Sequence, residues 1–503
     1  MRRQRTMYLD DARHYYLYVF EPPMTMEEAW HPIDQISGTG VDTFVYGVAC
    51  GGLFYPTKVG NQFGAVEGTA SGPYSNAMFR SPFDGASIWR AWENMKGLME
   101  RGLDPLKVLV DRAHEKNMEF IASLRIGALD TTEPAHMGTQ GGGMLAHPEV
   151  RDLNFSIAEE LVTEYDIDGI ELDFSSPPTS WDVFRREEAR ENIPLLTELV
   201  SKTASMVRGK GQGRLAVGAK VFPTEEMNLD RGIDVRSWLN QGLLDYVTPA
   251  VFYYPLDLDS DLPLDWVVEA AHANDVSVYP PLAPYINAWT GSRTKEFATA
   301  SMFRAAAANY LDRGADGLLT CFLPWPLGHE QRAVLTELGD HESLGRGDKH
   351  YILRRRDASA DEVGCEHAAL PLAVPLGHPG KLYDIPFHIS DDIEREARRI
   401  RRITLKLLVG ELVTADRVTI LLNGESLEGE RCLRSPRPGV SPYSAQLLEF
   451  DLAEVRPRKG QNVLAVSLDE RPPGLNAGIT VESVEVIIEY GRYPSALNPP
   501  PKE

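Results

Sequence analysis

The stretch EYDIDGIELDFSSPP (164–178) decides the fold and contains the main candidate residues. Its centre is a short apolar run entered through Asp-Gly, which is typical of a buried strand that follows a helix. Side chains two residues apart in a strand point to the same side, so Glu171 and Asp173 share one face. Two acids inside a buried strand are costly unless they serve a purpose, so this pattern indicates a functional site. A structural ion pair is the alternative.

Eight β-rich apolar runs, this one included, alternate with amphipathic helical stretches between residue 14 and about residue 340. The alternation indicates βα units and hence a parallel sheet. The predicted strands are residues 14–20, 41–49, 118–126, 167–174, 214–222, 245–253, 276–284 and 316–323. Eight units over about 325 residues predict an α/β fold of the (β/α)8 TIM-barrel type. An open doubly wound sheet is the alternative, disfavoured because no GxGxxG motif follows the first predicted strand.

The sequence changes character beyond residue 340. Runs such as ITLKLLVG (403–410) and VESVEVIIEY (481–490) alternate apolar and polar residues, with Gly, Asn and Pro turns between them. This pattern is typical of an antiparallel β-sandwich or jelly roll. We therefore predict a barrel domain at 1–345, a linker at 346–364, a β-sandwich domain at 365–492 and a tail at 493–503.

Charge and composition restrict the class of partner. The 503 residues carry a formal net charge of −22, which disfavours nucleic acid and anionic membranes because both require a basic face. The four cysteines are far apart and show no ligand spacing, so neither a zinc site nor a disulfide framework is expected. No apolar run reaches the roughly 18 residues of a membrane span. The N-terminus lacks the pattern of a signal peptide, so we expect a cytoplasmic protein, although a chain whose leader had been removed would look the same.

The fourth predicted strand and the helix before it carry a family resemblance. HPEVRDLNFSIAEELVTEYDIDGIELDF (147–174), together with DPLKVLVDRAHEKNMEF (104–120), resembles the glycosyl-hydrolase-like family 10 proteins and their barrel relatives. Those proteins commonly show an Asn- or His-Pro-Glu-Val-Arg helix start, then Tyr-Asp-Val-Asp-Gly-Ile and an acidic strand end. The resemblance covers residues 90–180 well and the rest of the barrel by layout. It implies a glycoside hydrolase that acts on an oligo- or polysaccharide with a pair of carboxylates, Asp173 being central.

A second resemblance leaves the role of the strand end open. Chitinase-like family 18 proteins end an Asp-Gly-x-Asp-x-Asp-x-Glu strand in the proton-donating Glu, but this chain has Ser175 there. If the chain is instead similar to α-retaining barrel glycosidases, Asp173 matches the position of their fourth-strand nucleophile. Glu171 lies one layer deeper and could orient Asp173 or shift its pKa.

The partner acid must come from another strand end, because the C-terminal strand ends of a barrel form its active face. The candidates are Glu21, Asp130, Glu225, Glu226, Asp257, Asp259 and Asp261. We favour Glu225 or Asp257, which follow the fifth and sixth strands. A carboxyl separation near 5 Å would imply retention of configuration, and a wider one inversion.

Several other side chains are predicted to contact substrate at the same face. Arg125 and Lys220 end strands beside Asp173 and could bind hydroxyl or acid groups, with structural ion pairs as the alternative. Flat rings stack on sugar faces, and Trp325 is the favoured platform among several aromatic candidates. The predicted substrate-binding set is Arg125, Lys220, Tyr55, Tyr253, Tyr254, Tyr285, Trp325 and His147.

No organic cofactor and no metal ion is predicted. Asp257, Asp259 and Asp261 have a spacing that could suit calcium, but the Gly and closing Glu of an EF-hand loop are absent, so a solvated loop is favoured. Two alternatives remain open: a non-catalytic carbohydrate-binding barrel, suggested by Ser175, and a metal-dependent barrel hydrolase that uses His147 with Asp173. The expected partner is a carbohydrate, and the oligomeric state is open.

Overall fold

The chain forms two compact units in the computed structural model. The first comprises Met1–Tyr253, Pro263–Pro281 and Gly314–Gly339, and the second comprises Tyr254–Leu262, Leu282–Arg313 and Asp340–Glu503. The structure describes residues 4–11, 16–50, 52–63, 85–127, 144–175, 183–211, 213–250, 257–287, 295–340, 344–345, 347–353, 367–436 and 445–491. The domain boundaries given above, with their linker at 346–364, stay a prediction.

Ten α-helices and twenty-three strands or strand fragments occur among the described residues. The helices are α1 (Met26–Asp34), α2 (Gly85–Glu100), α3 (Pro105–Glu115), α4 (Pro148–Glu164), α5 (Ile193–Lys210), α6 (Glu225–Leu229), α7 (Val235–Asn240), α8 (Asp265–His272), α9 (Ala300–Asp312) and α10 (His329–Leu338). The strands as far as the end of the parallel sheet are β1 (Thr6–Asp11), β2 (Thr43–Gly47), β3 (Ala49–Cys50), β4 (Gly52–Leu53), β5 (Glu119–Arg125), β6 (Gly169–Asp173), β7 (Ala216–Val221), β8 (Tyr246–Pro249), β9 (Ser277–Val278), β10 (Pro281–Leu282), β11 (Tyr285–Asn287), β12 (Lys295–Phe297) and β13 (Leu318–Cys321). The later strands are β14 (Lys349–Ile352), β15 (Leu372–Val374), β16 (Tyr383–Ile389), β17 (Ile400–Gly410), β18 (Arg417–Leu422), β19 (Glu425–Ser426), β20 (Arg431–Pro436), β21 (Ala445–Asp451), β22 (Gly460–Glu470) and β23 (Ile479–Tyr490).

A nine-stranded sheet organises the first unit. Its order is β10-β13-β1-β2-β5-β6-β7-β8-β9, and the paired strands from β13 through β1 to β9 run parallel. The two ends of this order, β9 and β10, belong to one chain segment between Ser277 and Leu282, so the sheet curls towards itself. The predicted mixed α/β fold with a barrel-like parallel sheet is confirmed, while the count of eight βα units stays a prediction.

Helix α4 shows how local sequence places the strand that follows it. Pro148 occupies the first turn, where its missing N–H costs nothing. Val150, Ile157 and Leu161 recur at helical spacing and are buried, so one face of α4 packs inward. The chain then leaves the helix and enters β6, which ends at Asp173.

The first predicted strand is wrong. Residues 16–20 form turns, and the first strand of the sheet is instead Thr6–Asp11. The rings of the aromatic run pack against other rings, since Tyr16 meets Tyr46 edge-on at 6.4 Å and Tyr18 meets Phe54 at 6.5 Å between centroids. The β-rich composition of this run therefore reflects burial of aromatic rings. The other seven predicted strands overlap observed ones.

Antiparallel sheets organise the second unit. One has the order β14-β23-β17-β21-β20, with β15 also pairing β23, and another has the order β16-β22-β18-β19. Their inward side chains alternate along the strands and meet in one apolar core, which includes Phe387, Leu405, Leu464 and Val484. This arrangement fits the predicted sandwich, although helix α9 also contributes Ala305 to the same core. In the described part of the chain, none of the helices has the length and apolarity needed to cross a membrane.

Candidate active site

Two rows of paired residues cross the inner strands of the parallel sheet. Residues in register on neighbouring parallel strands point to the same side, so each row lies on one face. The first row is Asp11, Gly47, Ser123, Glu171, Gly218 and Tyr246. The second row, two residues further towards the C-terminal strand ends, is Arg125, Asp173, Lys220 and Thr248. Both rows share the face that carries Glu171 and Asp173.

Lys220 joins the two predicted acids. Its Nζ lies 3.1 Å from Glu171 Oε1 and 3.2 Å from Asp173 Oδ2, and all three side chains are buried. Burial alone would lower the pKa of this ammonium, but the attraction of Asp173 and Glu171 outweighs it and leaves the pKa above its ordinary value. Lys220 is therefore a cation at neutral pH that lies between Glu171 and Asp173 and contacts both.

Glu171 is held by hydrogen bonds from two further strands. The Ser123 hydroxyl donates to Oε1 at 2.8 Å, and the Tyr246 hydroxyl donates to Oε2 at 3.5 Å. Burial and then repulsion from Glu171 raise the pKa of Tyr246 well above its ordinary value, so the phenol stays a donor. The Tyr246 ring lies over Gly218, where a Cβ would be 2.0 Å from its Cζ. The carboxylate of Glu171 is thus fixed from three sides.

Asp173 ends β6 with both carboxylate oxygens in contact with the protein. The Ser175 backbone N–H donates to Oδ1 at 3.1 Å, while Lys220 donates to Oδ2. Ser175 is itself buried, and its hydroxyl has no hydrogen-bond partner among the described residues. The residue that replaces the family 18 acid is therefore a small polar group beside Asp173.

A second ion pair lies at the ends of β1 and β5. Arg125 Nη2 donates to Asp11 Oδ2 at 3.1 Å, and the Arg125 side chain is 13% exposed. Asp10 fixes the backbone here, because its Oδ1 accepts the Asp11 N–H at 2.8 Å. Burial, followed by repulsion from Asp11, raises the pKa of Asp10 well above its ordinary value. The carboxyl group of Asp10 is thus bound to the backbone, whereas that of Asp11 is paired with Arg125.

The predicted platform Trp325 belongs to a three-ring cluster. Its Nε1–H donates to His31 Nε2 at 2.9 Å, which assigns the remaining His31 proton to Nδ1. Phe20 meets both rings edge-on, at 5.6 Å from His31 and 5.7 Å from Trp325. Burial lowers the pKa of His31, with Asp34 partly offsetting it, so the neutral acceptor form is favoured. Trp325 is half-buried, with its ring orientation set by His31.

Other predicted substrate-binding residues lie in different surroundings. Tyr55 is buried, and its hydroxyl donates to Glu160 on α4 at 3.0 Å. His147 is half-buried and directly precedes α4. Tyr285 belongs to the second unit and stacks on Phe297 with 5.0 Å between ring centroids. The predicted Tyr253 and Tyr254 lie outside the described residues.

Glu225 and Asp257 are the favoured partner acids, and the structure gives each of them other neighbours. Glu225 begins α6, and its two oxygens accept from Arg236 at 2.6 and 2.9 Å, a hydrogen-bonded pair that lowers the pKa of Glu225. Asp257 is buried in the second unit, where its backbone bridges to Tyr285. Their catalytic roles stay predictions.

The remaining candidate acids that the structure describes have ionic partners of their own. Asp130 lies outside the described residues. The observed pairs are Glu21 with Arg90, Glu226 with Arg190, Asp259 with His367 and Asp261 with Arg313. A group of three or more His, Cys, Asp or Glu side chains that could hold a metal ion is absent from the described part of the chain.

Sequence reasoning missed Asp11, Ser123 and Tyr246. MYLDD (7–11) does share the Leu-Asp pair of IELD (170–173), but that pair is Leu9–Asp10, so it marks the strand end without singling out Asp11. Ser123 and Tyr246 carried no signal, because a serine and a tyrosine in β-rich runs are usual in any sheet.

Comparison with known proteins gives weak similarities to hydrolases. None of the family models matches the chain. Glycosyl hydrolase YngK from Bacillus subtilis strain 168 is 22% identical, over 37% of this chain and 46% of that protein. Glycosyl hydrolase DigH from Escherichia coli K12 is 24% identical, over 42% of this chain and 62% of that protein. The chain therefore spans less than two thirds of the length of either relative.

Solved structures give fold-level likenesses of low score. α-L-Fucosidase isoenzyme 2 from Paenibacillus thiaminolyticus is 13% identical with a TM-score of 0.41, covering 67% of this chain and 48% of that one. An α-L-fucosidase GH29 from Bacteroides thetaiotaomicron is 11% identical with a TM-score of 0.36, covering 91% and 83%. The fold described above rests on the strand pairing, because scores this low do not establish it.

Proposed function

We propose that this chain is a glycoside hydrolase that cleaves a glycosidic bond in an oligo- or polysaccharide, with Asp173 as the central carboxylate. The observation that carries the proposal is the buried Glu171–Lys220–Asp173 cluster at the C-terminal end of β6. Barrel enzymes place catalytic groups at this end of their strands. The names of the two curated relatives and the resemblance to glycosyl-hydrolase-like family 10 proteins support the same class of reaction.

Asp173 acts in this proposal as an anion. An ionised carboxylate serves a glycosidase as a nucleophile or as a stabiliser of the oxocarbenium-like transition state. Lys220 places a positive charge beside Asp173, and its contact with Oδ2 orients the carboxylate. Glu171 is a positioning residue, because it contacts the Lys220 ammonium from two residues earlier on the strand than Asp173. Hydrogen bonds from Ser123 and Tyr246 hold the Glu171 carboxylate in place.

We propose Glu225 or Asp257, the two candidates that the sequence favours, as the second carboxylate. A proton donor must be protonated before it acts, and the Arg236 ion pair opposes this for Glu225. The distance between the two carboxyl groups would determine the anomeric configuration of the product, since roughly 5 Å suits retention and about 6.5–9.5 Å suits inversion.

We further propose that the parallel sheet is a (β/α)8 barrel. The supporting observation is the segment from β9 to β10, which pairs with β8 at one end of the sheet order and with β13 at the other. If this segment is counted as one strand, the parallel sheet has eight strands. The antiparallel unit is then an appended sandwich, and polysaccharide degradation is the biological setting that we propose.

The test is Asp173→Asn, assayed on the glycoside that the wild-type protein cleaves best in a panel of polysaccharides and aryl glycosides. We expect turnover to fall at least about a thousandfold with the far-UV spectrum and melting temperature unchanged, because the amide is isosteric but cannot act as nucleophile. Asp166→Asn is the control, since Asp166 precedes the same strand and is 93% exposed. Near wild-type turnover in Asp173→Asn would remove this residue from the mechanism.

A non-catalytic carbohydrate-binding protein is the second candidate, favoured by Ser175 at the position of the family 18 acid. Sugar binding by the wild-type chain without turnover of any substrate in the panel would support it. Metal content measured on the same purified protein tests the metal-dependent alternative.

A further inference from the structure

The Asp11–Arg125 ion pair has no role in the reaction proposed above. We propose that Arg125, anchored by Asp11, binds hydroxyl groups of an uncharged sugar ring next to Asp173, and that Asp11 makes this position select against sugars that carry a carboxylate. The inference rests on the proposed function and adds the class of substrate to it.

A glycine makes the pair possible. Strand β2 lies between β1 and β5, and its residue in register with Asp11 is Gly47. A Cβ at position 47 would lie 2.8 Å from the Asp11 Cβ, which is closer than real Cβ contacts allow. Without a side chain at this position, the Asp11 carboxylate and the Arg125 guanidinium meet across β2.

Arg125 keeps hydrogen-bond donors for a ligand. A guanidinium has five N–H groups, and within the described ranges Arg125 makes one hydrogen bond, to Asp11 at 3.1 Å. Its side chain is 13% exposed, so the other donors are neither fully solvated nor bonded to described residues. Donors in such a place are best satisfied by acceptors that a ligand brings, and sugar hydroxyls are suitable acceptors.

Arg125 is also placed beside the proposed nucleophile. It is the register partner of Asp173, on the neighbouring strand and the same face. The Arg125 side chain extends from β5 across β2 to Asp11, so a carbohydrate that binds at Asp173 and extends towards β2 would bring hydroxyl groups to the Arg125 fork, which suits a vicinal pair.

The charges decide which class of sugar fits. In the two described rows the charged side chains are three carboxylates, Asp11, Glu171 and Asp173, and two cations, Arg125 and Lys220, so these five groups carry a net charge of −1 when all are ionised. A substrate carboxylate would raise this excess at a site that is largely removed from water, whereas a hydroxyl would not. The overall charge of −22 acts in the same direction.

The experiment compares sugars that differ only in oxidation at C6. Turnover is measured for the p-nitrophenyl glucosides and galactosides of both anomers against the matching uronides, and calorimetry measures binding of the corresponding methyl glycosides and uronides. We expect the wild-type protein to prefer the neutral member of each pair. Asp11→Asn should raise the uronide-to-neutral ratio at least about tenfold, because it removes the excess negative charge and leaves Arg125 unneutralised.

Asp10→Asn is the matched control. It makes the same change one residue earlier, on the opposite face of β1, and the amide oxygen can still accept the Asp11 N–H. The ratio should not change. Arg125→Met should raise KM for neutral glycosides far more than it lowers kcat, and should abolish the effect of Asp11→Asn.

Each result bears on one of the two proposals. Uronides bound as well as neutral sugars by the wild-type protein, an unchanged ratio in Asp11→Asn, or no binding of either member would overturn the inference about Asp11 and Arg125. Binding of neutral sugars that depends on Arg125, with no turnover or with turnover unaffected by Asp173→Asn, would overturn the proposed hydrolase while the binding site stands.

Discussion

At the scale of single residues, the candidate site depends on one buried ammonium. Lys220 is wholly buried and contacts Glu171 and Asp173 within 3.2 Å. Removing one partner of a buried ionic cluster leaves uncompensated charge, which costs far more than the pair contributes. Lys220 therefore contributes both to the stability of the sheet and to the position of the proposed catalytic acid.

We predict that Lys220→Met destabilises the folded state by about 3–5 kcal/mol at neutral pH, because two carboxylates then lose their shared cation. In the wild-type protein the pKa of Lys220 is raised, so its contribution is complete below the ordinary value of 10.5 and is lost only as the pH rises through the folded-state value. Urea unfolding of both proteins at pH 7.5 measures this difference in the free energy of unfolding.

Lys107→Met is the matched control, because Lys107 pairs with Asp111 on an exposed helix face with 62% of its side chain accessible. Such surface pairs contribute no more than about 1 kcal/mol. Adding Glu171→Gln to Lys220→Met should restore part of the loss. Equal stability of the two lysine variants would show that the cluster tolerates a missing cation.

The part of the site that can be predicted from the sequence consists of charged residues at the ends of β-rich runs. Glu171, Asp173, Arg125 and Lys220 could all be placed on neighbouring strand ends from the sequence. Asp11 could not, because the aromatic run after it has the composition of a strand, whereas TMYLDD (6–11) forms the first strand of the sheet. Local patterns do not reveal which distant strands become neighbours, so the hydrogen bonds of Ser123 and Tyr246 to Glu171 appear only in the fold.

At the scale of elements, small residues in the strands make room for the large polar side chains. Gly47 and Gly218 stand in the same row as Asp11, Glu171 and Tyr246, one glycine beside each large group. The alternation lets an ion pair cross β2 and a tyrosine ring cross β7. Glycines inside strands often mark such a close approach, so these two carry information about side chains on other strands.

We predict that Gly218→Ala destabilises the protein by at least about 1–3 kcal/mol, because the new methyl group would lie 2.0 Å from the Tyr246 Cζ and the ring must move. The displaced hydroxyl would also lose its contact with Glu171, so turnover should fall as well. Chemical unfolding and the turnover assay measure the two effects separately.

Gly209→Ala provides the comparison for that substitution. Gly209 lies near the end of α5 with nothing within 4 Å of a Cβ, so alanine there should be neutral or slightly stabilising. An equally harmless Gly218→Ala would mean that the Tyr246 ring repacks freely and that glycine is not needed to position it.

At the scale of the whole molecule, the two compact units are interleaved along the chain. The second unit takes Tyr254–Leu262 and Leu282–Arg313 from between segments of the first. Helix α9 connects one of these segments to the antiparallel strands of the second unit. The Asn309 side chain donates to the His388 carbonyl and accepts from the Ser390 N–H, both at 2.9 Å. Composition shifts along a sequence reveal changes of class but not this exchange of segments.

We predict that a chain ending at Gly347, before β14, is insoluble or fails to melt cooperatively. It would keep α9 but lose β14 and the sheets that share a core with Ala305, leaving buried apolar side chains of α9 in water. Asn309, fully buried, would lose its partners at His388 and Ser390, and Asp261 would lose the His388 N–H that it accepts at 3.2 Å. Unsatisfied polar groups in such a place destabilise the folded state further.

Soluble yield and a circular-dichroism melt measure the outcome, and co-expression of residues 348–503 should restore a folded complex because the same contacts can form between two chains. A monomeric 1–347 chain with a cooperative melt and full turnover would instead show that the segments around α9 fold without the C-terminal sheets, and that the antiparallel unit is a separable addition to the barrel-like sheet.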